Sequence, residues 1–530
     1  MKLLQQLLAI PAALGLVAPM TRATELAVSG ASKQAATSEQ VTSVFQFSDI
    51  YPTDWAYQAL SNLVEQYGCV AGYPNRAFRG NRAMTRFEAA ALLSSCLDRV
   101  SDITDGVRRL TKEFEAELAV LAGRINGIEA RIGELEATQF SPTTKFRGET
   151  DFVIGGTSYT NEHESEDLED GRGNYLGTDA VAFSYQQTFD VNSSFDGKDL
   201  LHLRVRSGNF GDNAFSGRGY TGKQSEVEWS NSNADTLKVD KLSYQRPLGD
   251  NFMAYIAAKI EGYEMLAAPP SIYKHVLKQF RLGGYHATYD AVASPGIGIN
   301  WKSGRSSNPR DPKLSLSANY VAQNGNMGNP AKGGVSNTNS QGKILTQIAY
   351  GGPKWQISAA YAYTQKGATV GYGTPLANNT GGFREANSLS IHAYWQPEEN
   401  IWIPSISTTW GITDFTLTDN SIEGMREQSQ NWFLGLNWKD AFVEGNLLGF
   451  AIGEPAWVTK ARGSKTPNDG NIALELHYKF QVSDNISVTP AIFYLSRPFG
   501  ENTGTSYKYG GLGNDSFGTI GYLLQTSFKF

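Results

Sequence analysis

The chain has 530 residues, a formal net charge of −6, 12% aromatic residues and 55 glycines, and its mean hydropathy is negative. That balance offers no basic stripe to neutralise phosphates, which argues against nucleic acid as a partner. Length alone calls for more than one domain, and three zones of different periodicity follow one another.

Residues 1–23 read as a secretory signal, with Lys2, an apolar run from Leu3 to Val17 and then small residues. The run is too short to span a bilayer, although an uncleaved N-terminal anchor is the alternative. Residues 24–44, rich in Ala, Ser, Thr and Gln, are expected to form a leader without a core.

Residues 45–100 are expected to form a small helical domain. Asp54 is placed to cap a helix that Gly68 ends, and Gly72-Tyr73-Pro74-Asn75 makes a turn. Thr85 and Glu88 have capping-box spacing at the start of a second helix. The two cysteines, Cys69 and Cys96, both fall here. In an exported chain such a pair is expected as a disulfide between helices, since a metal or redox pair would use closer spacing. Read alone, Arg86 and Glu88 are an ion pair at a helix start. The order Phe47-Ser48-Asp49, Trp55-Ala56, Gly72-Tyr73-Pro74 and Thr85-Arg86-Phe87-Glu88, however, resembles a single S-layer homology repeat. The resemblance implies binding of peptidoglycan or its linked polysaccharide. Arg86 would be the anion-binding residue, supported by Thr85 and Glu88, with Asp49 and Trp55 near the groove; Phe87 stands where the family has a small residue. A guanidinium suits carboxylate, pyruvyl or phosphate groups on a wall polymer. Such repeats usually work in threes, so one copy per chain implies that three chains combine.

Between 101 and 141 the apolar positions Ile103, Val107, Leu110, Phe114, Leu118, Leu121, Ile125, Ile128, Ile132 and Leu135 follow a heptad seam with one stutter. This predicts a trimeric coiled coil, ended by Pro142.

From 142 to 530 the periodicity changes to 2. Trp355, Ile357, Tyr361 and Tyr363 alternate with Gln356, Ser358 and Thr364. Ile472, Leu474, Leu476 and Phe480 alternate with Glu475, His477 and Lys479; Tyr522, Leu524, Phe528 and Phe530 alternate with Gln525, Ser527 and Lys529. Such strands have one lipid face and one wet face. Sixteen are predicted, with short and long connections in alternation, which makes the fold mainly β: a 16-stranded antiparallel transmembrane barrel with an open lumen. The longest connection, 261–294, is positioned to fold inward with Lys274, His275, Lys278 and Arg281. Arg147, His202, Arg204 and Arg206 are expected to face the lumen. These groups either attract anions at a constriction or are ordinary charges balanced by Glu149, Asp151 and the loop acids. The acidic run from Glu162 to Asp170 is expected to be solvated.

The order of signal, single S-layer homology repeat, coiled coil and barrel resembles the cyanobacterial outer-membrane porins of the carbohydrate-selective or iron-uptake type. The resemblance implies passive passage of inorganic ions, with iron as a candidate, and small solutes, with the N-terminal domain in the periplasm holding the wall. The alternatives are a largely closed barrel that serves as a tether and a substrate-specific carbohydrate channel. Outer-membrane lipid, the wall polymer and two further copies of the chain are the expected partners. No nucleophile elbow, P-loop or metal-binding histidine pair is present, so no catalysis and no cofactor are expected.

Overall fold

The computed structural model describes residues 143–530 apart from 161–179, 212, 218–222, 285, 290–291, 305–310, 368–371, 379–380, 399–401, 420–422, 464 and 504–515, together with helical positions 112, 115–116 and 119–120. The signal, the leader, the small domain with Asp49, Trp55, Thr85, Arg86 and Glu88, the Cys69–Cys96 pair, most of the predicted coiled coil and the acidic run from Glu162 therefore lie outside the described residues. The chain divides into two compact units, Met1–Gln139 and Phe140–Phe530, and the second is a closed β-barrel.

Sixteen strands build it. The first four are β1 (Thr144–Tyr159), β2 (Ala182–Ser193), β3 (Leu200–Gly208) and β4 (Lys238–Leu248). Next come β5 (Phe252–Ile260), β6 (Ser294–Lys302), β7 (Lys313–Ala322) and β8 (Gly342–Gly351). The second half opens with β9 (Trp355–Gln365), β10 (Phe383–Trp395), β11 (Ser405–Leu417) and β12 (Arg426–Lys439). It ends with β13 (Leu447–Ala461), β14 (Ala473–Ser483), β15 (Ile486–Leu495) and β16 (Thr519–Lys529). Each strand pairs antiparallel with its sequence neighbours, and β1 pairs with β16 to close the barrel. All the predicted strands are present. The largest departures are β12 and β13, which run further toward the long-loop end. Their pairing shifts register between Gln430 and Trp432, opposite Pro455, whose missing N–H breaks the ladder at a bulge rather than ending the strand.

The alternation places the side chains as a membrane barrel requires. Leu314, Leu316, Ile344, Ile348, Ile357, Leu389 and Ile391 are exposed on the outer wall, while Ser315, Ser317, Asn319, Gln347, Ser358 and Ser390 are buried inside. That inversion suits lipid outside and water within. Aromatics gather at the short-turn rim: Trp355 pairs with Trp395, Tyr350 packs edge-on to Trp355 at 5.7 Å, and Phe189 meets both Phe146 and Phe530. Such a belt marks a headgroup level.

Candidate functional site

The lumen is shaped by two long loops, L2 (209–237) and L3 (261–293). L3 turns inward because its polar groups find partners on the inner wall. Asn319 Nδ2 donates to Gly262 O at 2.9 Å, Asn300 Nδ2 to Met265 O at 3.0 Å and Gln356 Nε2 to Pro269 O at 2.6 Å. The backbone N–H groups of Ala267, Ile272 and Lys274 donate to Ser317, Ser407 and Asn437. On β14, the buried Glu475 carboxylate accepts the Tyr273 hydroxyl at 2.8 Å and the N–H groups of Val276 and Leu277 at 3.2 and 2.7 Å. The loop thus follows the wall from β6 to β14. It reverses at Gly283, where φ is +76° and a Cβ would sit 2.3 Å from Thr409 Oγ1, so only glycine fits.

L2 pairs with L3 inside the barrel. Glu228 N donates to Val276 O at 3.0 Å, and Lys278 N to Glu226 O at 2.8 Å. L2 also reaches the opposite wall, where Gln224 Nε2 donates to Pro498 O and Gln224 Oε1 accepts from Asn471 Nδ2. Phe215, Val227, Tyr273, Val276, Leu277 and Phe280 from the two loops then form a core with Val153, Phe433, Phe493 and Leu523 of the wall. One arc of the lumen is filled by this core, and the charged groups are pushed toward β3 and β4.

There the predicted basic residues gather. Arg204 binds Asp240, and Arg206 lies 3.7 Å from the same carboxylate. Arg281 lies 3.6 Å from Glu228 and 3.8 Å from Glu261, with its guanidinium 4.6 Å over the Tyr263 ring. His275 contacts Glu228 at 3.1 Å, and Lys278 contacts Glu226 at 2.7 Å. Lys241, 1% exposed, bridges Glu261 and Glu264 at 2.8 and 2.7 Å. Burial alone would raise Glu228, but Arg281, His275 and Lys278 outweigh it and hold the carboxyl below its usual range. Burial is likewise outweighed at Glu261, where Lys241 and Arg281 pull it down to about 2. Both stay ionised, and each fixed cation of the cluster has an acid beside it.

Two sequence expectations are refined here. His202 is taken up by Asp190 at 2.7 Å, and Arg147 stands opposite Asp190 in the strand register. Lys274 stands apart from the cluster and faces the short-turn end of the lumen beside Lys439, Lys479 and Lys529. The carboxylates beside the arginines are Asp240, Glu228 and Glu261, the last two being acids of L2 and L3, while Glu226 and Glu264 pair with Lys278 and Lys241. Asp240 escaped the period-2 reading because of a bulge: Arg204 pairs with Lys241 and Val205 with Val239, so position 240 falls out of phase.

At the long-loop end, Asp469 ties its own loop to two others and to β13 by accepting from Thr374 Oγ1 at 2.5 Å, Val458 N at 2.8 Å and Glu501 N at 3.3 Å. Burial pushes its carboxyl up to about 6, against those hydrogen bonds. A folded value above the unfolded one means that this group weakens the folded state above pH 6 and stops doing so as pH falls through the window down to about 4. Protease resistance of these loops is expected to rise on acidification from pH 7 to 4, by about 3 kcal/mol at most. Asp469→Asn is expected to flatten that dependence, as read by limited proteolysis across the pH range.

Comparison with known proteins bears on both units. Residues 106–513 match the carbohydrate-selective porin family, OprB, and residues 46–90 match the S-layer homology domain. The chain is 31% identical to the uncharacterized protein alr4550 of Nostoc sp., covering 93% of this chain and 86% of that one. It is 30% identical to the uncharacterized protein sll0772 of Synechocystis sp., covering 94% and 93%. A shorter stretch, 20% of this chain and 10% of the other, is 30% identical to the outer membrane protein SlpA of Deinococcus radiodurans. Among solved structures, OprB of Pseudomonas putida aligns over 73% of this chain and 94% of its own, at 13% identity and a TM-score of 0.47.

Proposed function

The chain belongs to the carbohydrate-selective porin family, and from that premise we propose that it passes inorganic ions and small solutes across the outer membrane while its N-terminal domain holds the cell wall. It is an outer-membrane channel rather than an enzyme, and its S-layer homology domain suits a tether on the periplasmic side. The observation that supports passage is the polar inner wall with a charge-paired constriction between L3 and β3–β4. The test is single-channel conductance of the purified protein in a planar bilayer. Steps in groups of three would accord with three chains assembled through the coiled coil expected over 101–141. A silent bilayer from a folded, heat-modifiable barrel would make tethering the chief role and sink the channel reading.

Arg86 is assigned to the wall polymer, with Thr85, Glu88, Asp49 and Trp55 around it. Arg86→Ala is expected to weaken co-sedimentation with purified, polysaccharide-bearing peptidoglycan at least tenfold, because a guanidinium that forks onto an anion has no neutral substitute. Undiminished co-sedimentation would remove Arg86 from that role.

A second reading takes the family's description at its word and makes neutral sugars the cargo. Aromatic groups beside the paired charges, Tyr263 and Tyr372, support it. Swelling rates of loaded liposomes in sugar against salt separate the two readings.

A further inference from the structure

The lumen has a second charged region, on the short-turn side of L3. A cavity of about 440 Å³ lies there, lined by Lys274 from L3, Lys439 from β12, Lys479 from β14 and Lys529 from β16. Three separate strands and a loop thus bring lysines to the lining of one space. Lys479 is within electrostatic reach of both Lys274 and Lys529, so the like charges are held together against their repulsion.

Three carboxylates lie nearby and offset part of this charge: Glu149 and Asp440 line the same cavity, and Glu149 and Asp151 are within electrostatic reach of Lys479. Glu149 lies 3.6 Å from Lys529. Asp151 is held by Gln525 Nε2 at 2.9 Å and Ser527 Oγ at 2.5 Å. Asp440 accepts the Gly445 N–H at 2.7 Å inside its turn. Among the described residues, Lys274, Lys439 and Lys479 form no ion pair, in contrast to the cations of the constriction. A further polar group lines the same cavity: His477 is 4% exposed, and its buried Nδ1 has no hydrogen-bond partner. The position of Lys274 is fixed, since its own N–H is bonded to Asn437 Oδ1 at 2.9 Å.

We propose that this vestibule is a binding site for a small multivalent oxyanion of the inorganic phosphate or sulfate class, held by Lys274, Lys439 and Lys479 with His477 beside them. Several ammonium groups converging on one space suit a compact anion with more than one charge, and a single chloride would leave the repulsion between them only partly relieved. The cavity is lined by inward-facing side chains, so the ligand is a free ion from the aqueous lumen and not a lipid headgroup. Functionally, the site would concentrate such anions at the short-turn mouth and make their flux saturate with concentration, as conduction through a binding site does. This rests on the barrel being a conducting porin, but the binding itself does not.

The test titrates inorganic phosphate into the full-length protein in detergent at low ionic strength by calorimetry, alongside chloride and phosphate currents in a bilayer. Wild type is expected to bind phosphate saturably. Lys274→Gln, Lys439→Gln and Lys479→Gln combined are expected to weaken binding at least tenfold, and Lys460→Gln at the opposite mouth to leave it unchanged. Heat-modifiable migration confirms that each barrel is folded, and Lys479→Gln alone, with an intermediate loss expected, serves if the triple variant is not. Equal binding by wild type and the folded variants, or no saturable binding by wild type, would overturn the site even with normal chloride currents. Saturable binding in a protein that passes no current would instead sink the porin reading and leave the site standing.

Discussion

Glu475→Ala is expected to release L3 from the far wall and raise single-channel conductance several-fold. The Glu475 carboxylate accepts the Tyr273 hydroxyl and two backbone N–H groups of the loop while 1% exposed. Removing it takes away the acceptor of all three donors, a loss of roughly 3–5 kcal/mol for a buried, hydrogen-bonded charge. That energy holds the middle of L3, because the next anchors, Asn437 on Lys274 N and Asn431 Nδ2 on Gly284 O, are single bonds. The barrel is closed by its own strand ladder and does not depend on L3, so the variant is expected to fold and migrate as a barrel. Conductance equal to wild type, with L3 equally resistant to protease, would show that the hydrophobic core of Phe280, Val276 and Phe433 holds the loop without the carboxylate.

The second large effect is on ion preference. The constriction sets Arg204, Arg206, Lys241, Lys278 and Arg281 against Glu226, Glu228, Asp240, Glu261 and Glu264, so removal of either sign tips it. Glu228→Gln is expected to favour chloride over potassium, and Arg281→Gln to do the reverse. A unit charge about 5 Å from a passing ion, at an effective dielectric of about 40, is worth roughly 1.5 kcal/mol, or about tenfold in permeability ratio. The reversal potential in a salt gradient reads this directly. Shifts of the same sign in both variants would place the selectivity filter elsewhere, with the vestibule lysines as the next candidates.

How far the sequence carries depends on how local the rule is. Period-2 alternation is written residue by residue, so the strands and the buried face that carries Glu475 and His477 were readable. Which acid meets which base was not readable. Asp240 is hidden by a bulge, Glu226 and Glu228 arrive on a different loop, and Glu261 and Glu264 meet Lys241 only after L3 has turned inward. Nor does any pattern in sequence distance gather Lys274, Lys439, Lys479 and Lys529, since they converge only when β12, β14 and β16 become neighbours of one space. The motif of the small domain, by contrast, is compact enough to be read from about fifty consecutive residues.

The route of L3 has a mechanical meaning. A hollow tube of strands resists stretching along its hydrogen bonds but is easily flattened, and a barrel attached to a rigid wall is exposed to sideways load whenever the envelope swells or shears. L3 is fastened in turn to Asn319, Ser317, Gln356, Ser407, Asn437 and Glu475, so it works as an internal rib that ties opposite quadrants together. Under the proposed tether, the rib rather than the roundness of the rim would set the bore when the barrel is loaded from the side.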